Sequence, residues 1–306
     1  MYEQFFGFHE RPFDLTSNPH RLVATEMHRE ALSNLEYAIR SRTGVTLLVG
    51  EAGTGKTTVI RAALARQSGQ VHCVRFDNPA LTRPEFLEML ARQFVLSERA
   101  QGSKTQLLLE LEQLLRRRQA LGETTVLVVD EAQSLSDELL EELRLLVNLE
   151  TDEQKLLCLV IAGQPEIAER LNDQSLRQLK QRVALRCELR PLNNSEAVGY
   201  IASRIRAAGG VPAGVFTKEA VQLIVARSQG IPRTINVICD NALLGGFAAG
   251  VLPVASDIVR DVCRDFDIRT RDVQDREARG HASSTLRRGD VAHGASGSRE
   301  AGAKPQ

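Results

Sequence analysis

The sequence contains no tryptophan, and aromatic residues make up only 4% of its 306 residues. A surface that recognises single-stranded nucleic acid by stacking bases on aromatic rings is therefore not expected. Charge of one sign is also missing. Thirty-nine Lys and Arg balance thirty-nine Asp and Glu, so no global field draws the chain toward nucleic acid or a cationic partner, although a local basic face stays open. No apolar run reaches the roughly 20 residues that a bilayer span needs. The nearest approach, Ala242 to Ala255, is broken by Gly245, Gly246, Gly250 and Pro253. The opening MYEQFFGFHE has no basic segment followed by an apolar run, so it does not read as a signal peptide. The cysteines (Cys73, Cys158, Cys187, Cys239, Cys263) are odd in number and form no CxxC pair. Most sit in apolar runs, as small buried hydrophobes of a reducing compartment do. With 42% hydrophobic and 25% charged residues, the expectation is a soluble globular chain of one large or two modest domains. Its expected location is cytoplasmic, free or peripheral at the inner membrane.

What is present is unevenly spread. Phe5, Phe6, Phe8 and Phe13 crowd the start beside Tyr2, whereas the last stretch, from about Thr270, fills with Arg, Gly, Ser, Ala and Asp. That tail has too little apolar surface to offset its ordering entropy and is expected to be disordered. Between these ends, apolar β-rich runs stand at Val45–Val49, Val71–Phe76, Val126–Val129 and Leu156–Ala162, with a weaker one at Arg186–Leu189. Continuous rather than alternating apolar character predicts a parallel sheet covered on both faces. Helical patterns separate the runs: Met27 to Arg40, from Lys56, from Pro84, and Lys104–Gln119 with Leu107, Leu108, Leu111, Leu114 and Leu115 on one face. Ser136 can cap the next helix, whose first turn carries Asp137 and Glu138. After Pro191 only helices are predicted, over Ser195–Ala208, Thr217–Ser228, Pro232–Phe247 and Ser256–Phe266. Asn193 with Glu196 supplies a capping box, and Pro232 suits a first helical position. The predicted organisation is an aromatic segment (1–25), an α/β nucleotide domain (26–192), a helical domain (193–268) and a tail (269–306).

Gly50-Glu51-Ala52-Gly53-Thr54-Gly55-Lys56-Thr57, followed by Thr58, fits GxxxxGK[ST], follows an apolar strand and opens a helix. The rival reading is a chance glycine-rich turn. In a phosphate loop, successive backbone N–H groups and the helix N-terminus surround the β-phosphate, and Gly53 and Gly55 admit it where a Cβ would clash. Lys56 then reaches the β/γ oxygens and the Thr57 hydroxyl ligates Mg²⁺. Asp130 and Glu131 end the apolar run Val126–Val129, at the strand end where α/β sheets place ligands. Asp130 is the candidate Mg²⁺ holder through water, and Glu131 the group that activates the attacking water. Their bland alternative is a solvated acidic helix start. Gln164 ends another apolar run and either fixes the γ-phosphate or its water, or merely terminates the strand. Arg177 and Arg182 precede the last run, and Arg233 opens a helix of the second domain. Each is a candidate donor to γ-phosphate charge or else a surface residue. Arg116, Arg117 and Arg118 read as a helix end rather than a nucleic-acid patch.

Taken together, these motifs resemble AAA+ ATPases, P-loop proteins with an α/β nucleotide domain and a helical lid. More narrowly, the chain is similar to the ExeA/GspA family of bacterial secretion, pilus and exopolysaccharide systems. The likeness spans residues 1 to about 267 and rests on YEQFFGF, Arg11-Pro-Phe13, Asn18-Pro19, GEAGTGKT, VVDEAQ, IAGQPE, LRQLKQR and SQGIPRTIN. It implies Walker A roles for Lys56 and Thr57, Walker B roles for Asp130 and Glu131, sensor 1 at Gln164 and sensor 2 at Arg233. Arg182, or alternatively Arg177, is implied as a finger acting across a homo-oligomer interface, and the aromatic segment as packing near the adenine side, against a plug on the sheet edge. The implied ligands are ATP and Mg²⁺, the implied partners envelope-assembly or membrane proteins. The sequence carries neither the membrane helix nor the peptidoglycan-binding region of members acting in secretin assembly, so the shorter members are the closer comparison. A DNA-acting ATPase of transposition, TniB-like, and a nucleotide-dependent scaffold are the other readings.

Overall fold

Five runs rich in Val, Leu and Ile pair side by side in the computed structural model, which describes residues 1–16, 22–67, 69–77 and 81–268. Among the described residues they form an all-parallel sheet of order β2-β3-β4-β1-β5, with β1 at Val45–Gly50, β2 at Val71–Phe76, β3 at Thr124–Val129, β4 at Cys158–Gly163 and β5 at Val183–Leu189. The three inner strands are almost continuously apolar because both faces are covered. Leu47, Val49, Leu127, Val129, Leu159 and Ile161 point into one layer, formed with α4 (Arg83–Gln93), α5 (Glu98–Gly102), α6 (Lys104–Ala120) and α7 (Asp137–Val147). Leu48, Val126, Val128, Cys158 and Val160 point into the other, against α2 (Glu26–Ser41) and α3 (Lys56–Ala65).

The leucine stripe of α6 buries Leu107, Leu111 and Leu115 fully, with Leu108 and Leu114 at the margin of the same core. Of the arginines ending α6, Arg118 lies over the Phe94 ring and donates to the Thr125 hydroxyl, while Arg116 pairs with Glu112. This is the helix-end arrangement, with two of the three guanidiniums engaged inside the protein. The Ser136 hydroxyl accepts from the Leu139 N–H and so caps α7. One expectation needs correcting. The last strand starts at Val183 rather than Arg186, and it alternates, with Cys187 and Leu189 buried but Ala184, Arg186 and Glu188 exposed. It is an edge strand with one covered face, so its pattern cannot be a continuous apolar run. The short helices α8 (Pro165–Arg170) and α9 (Arg177–Lys180) were not anticipated either, being too brief to show a helical period.

Beyond Leu189 the described chain is helical: α10 (Asn194–Ala207), α11 (Pro212–Val215), α12 (Lys218–Ser228), α13 (Pro232–Ala249) and α14 (Ser256–Asp265). The Asn193–Glu196 capping box closes in both directions, and the Thr217 hydroxyl caps α12. No helix of the described residues is long and apolar enough to cross a membrane. The tail predicted disordered over 269–306 and the Asn18-Pro19 pair lie outside the described residues.

The aromatic block is not a plug on the sheet edge. Tyr2, at the head of α1 (Tyr2–Phe5), together with Phe6, Phe8 and Phe13, enters the core of the helical part beside Ile201, Ile205, Phe216 and Ile235. Rings need a large apolar space to offset the cost of ordering a chain end, and the gap between α10 and α13 provides it. The Tyr2 hydroxyl also hydrogen-bonds the Asp240 carboxylate on α13, and the His9 N–H donates to the Ala208 carbonyl. The chain start is thus an integral part of the helical core. Phe13 has 0% exposure, so Phe13→Ala is expected to cost roughly 3–5 kcal/mol of stability in urea unfolding. A loss below about 1 kcal/mol would mean that the segment only rests on the surface.

Candidate functional site

The phosphate-loop sequence forms the turn between β1 and α3, and Gly53 and Gly55 both take left-handed backbone angles, φ 82° and 104°. Gly53 has a second constraint. A Cβ there would lie 2.7 Å from the Cβ of Arg233 and 3.0 Å from Ile231. The head of α13 is seated directly on the loop, and the Arg233 N–H donates to the Gly53 carbonyl at 3.2 Å. The sheet and the helical part thus meet at the loop, and the cleft between them is an open volume of about 1010 Å³.

Lys56 is only 4% exposed. Its ammonium is folded back on the loop, donating to the carbonyls of Gly50 at 2.7 Å and Glu51 at 3.2 Å. Burial pulls its pKa below the usual lysine value, against the opposing pull of the Glu131, Asp130 and Glu166 carboxylates. A desolvated cation facing a cleft is an anion site in waiting. The Thr57 hydroxyl donates to Asp130 Oδ2 at 2.5 Å, and Asp130 Oδ1 accepts the Glu131 N–H at 3.0 Å. Asp130 itself follows the last residue of β3, its N–H held by the Phe76 carbonyl of β2. A hydroxyl and one carboxylate are a hard-oxygen pair that fits Mg²⁺, which takes its remaining ligands from phosphate and water. Among the described residues no group of three or more His, Cys, Asp and Glu could hold a metal alone.

Glu131 lines the same cleft and has left-handed backbone, φ 53°. Its carboxylate accepts from the Gln133 amide at 2.6 Å. Arg233 is exposed and lines the cleft from the helical side, as do Thr54 and Thr58 from the loop, while Glu51 and Ala52 are exposed on its outer turn. Gln164 caps α8 beside the end of β4; it does not line the cleft, but its N–H reaches Gln133 Oε1 at 3.0 Å. Arg177 and Arg182 are exposed and stand outside the cleft of their own chain.

Several lining residues were not visible in the sequence. His28, in the first turn of α2, contacts the Thr54 carbonyl through Nε2 at 3.1 Å and the Thr25 hydroxyl through Nδ1 at 2.7 Å. A carbonyl can only accept, so Nε2 carries the proton and Nδ1 accepts from Thr25. Burial lowers the pKa of His28. On the helical side the Tyr200 hydroxyl bonds Asn236 Oδ1 at 3.0 Å, and buried Arg204 lies 5.6 Å from the Tyr200 ring and donates to the Asp14 carbonyl. Residues 14–16 and 22–23, which follow the aromatic block, line the cleft where the block itself does not. Only Asn236 had a sequence signal, since it stands one helical turn after Arg233 in GIPRTIN.

A parallel sheet with a phosphate loop, a strand-end Asp-Glu pair and a helical part closing over them defines the AAA+ class of P-loop proteins. The model of a family described as an AAA domain matches residues 39–171. Over 251 residues, 82% of this chain, the sequence is 43% identical to general secretion pathway protein A of Aeromonas hydrophila. The chain is therefore an AAA+ protein of the general secretion pathway protein A family, and it spans about half the length of that relative, 46%. Among solved structures, the Aeropyrum pernix ORC2 protein shares the fold with TM-score 0.63 at 18% identity, over 84% of this chain and 72% of that one. Cdc6p of Pyrobaculum aerophilum gives 0.59 at 18%, over 80% and 68%. The Thermotoga maritima RuvB branch migration motor gives 0.55 at 17%, over 82% and 72%.

Two outcomes are expected. Gly53→Ala both strains the backbone and pushes on Arg233, so titration calorimetry should show nucleotide affinity at least about tenfold weaker with the fold intact. Unchanged affinity would make the contact at Gly53 incidental. For His28, the unfolded chain takes up a proton near pH 6.5 that the buried ring resists. Stability should thus be lost as the pH falls below that value, and His28→Gln should flatten the loss in thermal unfolding at pH 5–7. An unaltered pH slope would sink this assignment.

Proposed function

We propose that the protein binds ATP with Mg²⁺ in this cleft, hydrolyses it, and uses the cycle to drive or regulate assembly of a bacterial envelope export system. What carries the reading is the meeting of Lys56, Thr57 and Glu131 in one cleft, with Asp130 behind them in a 2.5 Å contact with the Thr57 hydroxyl. In this reading the nucleotide domain is 26–192 and the lid 193–268. Loop N–H groups from Gly50 to Thr58 hold the phosphates, and the Lys56 ammonium leaves its carbonyl partners for the β/γ oxygens. Thr57 and Asp130 hold Mg²⁺, which when bound neutralises charge on those oxygens. Glu131 takes the proton of the attacking water, Gln164 fixes water or γ-phosphate from the next strand, and Arg233 links nucleotide to lid closure. Arg182, with Arg177 as the alternative, serves a neighbouring subunit's cleft in a homo-oligomer. An envelope-assembly or membrane-protein partner, and a cytoplasmic site, free or peripheral at the inner membrane, complete the proposal. Support for the pathway comes from the named relative; the likeness to RuvB and Cdc6p, at under 20% identity, concerns the fold alone.

The test is steady-state ATP hydrolysis with and without duplex DNA. Glu131→Gln should lower turnover by about 10²–10⁴-fold while nucleotide still binds, and Lys56→Ala should abolish binding. Full activity in Lys56→Ala would refute the site. Strong stimulation by DNA would move the reading to a transposition-type ATPase, and nucleotide binding without turnover to a scaffold.

A further inference from the structure

Gln133 carries no role in the reading above, yet its side chain joins the ends of two strands at the cleft. Its amide Nε2 donates to the Glu131 carboxylate at 2.6 Å, and its Oε1 accepts the Gln164 N–H, at the end of β4, at 3.0 Å. The orientation of the amide follows from these partners, because a backbone N–H only donates and a carboxylate only accepts. A flipped amide would set donor against donor and oxygen against charged oxygen. Space for it is made by Gly163, where a Cβ would stand 2.9 Å from Gln133 Oε1. The backbone at this point is fixed as well. Arg170, the last residue of α8, donates from Nη1 to the carbonyls of Gln133 at 3.0 Å and Leu135 at 2.8 Å, and pairs through Nη2 with Asp137. A side chain as flexible as that of Glu131, on a left-handed residue at a strand end, has no other side-chain hydrogen bond among those described.

We infer that Gln133 is a positioning residue: it holds the Glu131 carboxylate against the β4 side of the cleft, with Gly163 and Arg170 as its supports. The inference rests on the hydrolytic reading of Glu131. Ligands of α/β sheets bind at the carboxyl ends of the strands, so a carboxylate tied toward the end of β4 stays at the strand ends that border the cleft. Misplacing such a group by about 1 Å costs on the order of a hundredfold in rate, while the phosphate loop, which holds the nucleotide, is not touched by Gln133.

The test uses the full chain. Gln133→Met keeps the length and removes both hydrogen bonds; Gly163→Ala displaces the amide without altering it, though its Cβ presses equally on Ile167 Cγ2, at 2.9 Å. Both should lower kcat by roughly ten- to hundredfold, while the affinity for a fluorescent ATP analogue stays within about twofold and thermal unfolding reports a folded chain. In the Glu131→Gln background, where single-turnover hydrolysis reads the residual rate, Gln133→Met should add less than about a twofold further loss, because it acts through Glu131. Wild-type turnover in Gln133→Met, affinity falling in step with kcat, or a full multiplicative loss in the Glu131→Gln background would each overturn the inference. A failure of the hydrolytic reading itself appears in the wild-type chain, whereas a failure of this inference appears only in the variants.

Discussion

The carbonyl oxygens of the phosphate loop are answered from inside the protein. Lys56 takes those of Gly50 and Glu51, the Arg233 N–H takes that of Gly53, His28 that of Thr54, and the Val59 N–H that of Gly55. The donors come from three quarters: the first turn of α3, which carries Lys56 and Val59, the helical part, and α2. A peptide group whose oxygen is fastened cannot rotate, so its N–H is aimed without cost at the moment an anion arrives. The rest of the architecture can be understood as what supplies these donors. The sheet fixes where the loop starts, α2 lies across it to present His28, and the helical part must sit low enough for α13 to reach Gly53.

The sheet carries its own apolar layers, and the helical part fills its core partly with the rings of the chain start. Met27 of α2 packs against both. At the phosphate loop the two parts meet on glycine, because a side chain at Gly53 would press on Arg233 and Ile231 and hold the halves apart. Gly230 admits a like approach inside the helical part, where a Cβ would stand 2.0 Å from the Leu192 carbonyl. Arg204 ties the segment after the aromatic block to the helical part through the Asp14 carbonyl, so residues 1–16 travel with that part.

Much of this was legible in the sequence, for reasons that can be named. The inner strands were plain because a parallel strand covered on both faces has no polar alternation to confuse it. The helix starts were plain where a side chain does the capping, at Ser136, Asn193 and Thr217. Loop and strand-end motifs were plain because phosphate chemistry fixes both residue type and spacing. The edge strand β5 was not, since one open face gives it the alternation of a different kind of sheet. The sheet-edge alternative for the aromatic block failed because composition records that rings need a core, and not which core they enter. His28 and Gln133 were passed over for a related reason. Each makes one long-range hydrogen bond, His28 to the Thr54 carbonyl and Gln133 from the Gln164 N–H, and no period or local spacing marks such a bond.

The segment from Arg170 to Arg182 joins two features that the sequence could only treat separately. Arg170 grips the turn after Glu131 by the carbonyls of Gln133 and Leu135. The chain then passes through α9, whose Leu179 is buried in the sheet core with Leu176 just before it, and emerges at Arg182, exposed outside its own cleft. The segment is anchored in the core at Leu171, Leu176 and Leu179, while the residues between them face outward. At the other end of that segment lies the backbone that sets the direction of the Glu131 carboxylate. Packed cores respond to displacement by shifting as units rather than by bending gradually. One continuous stretch carries both Arg170, which fastens the turn after Glu131 through two carbonyls, and the outward-facing Arg177 and Arg182.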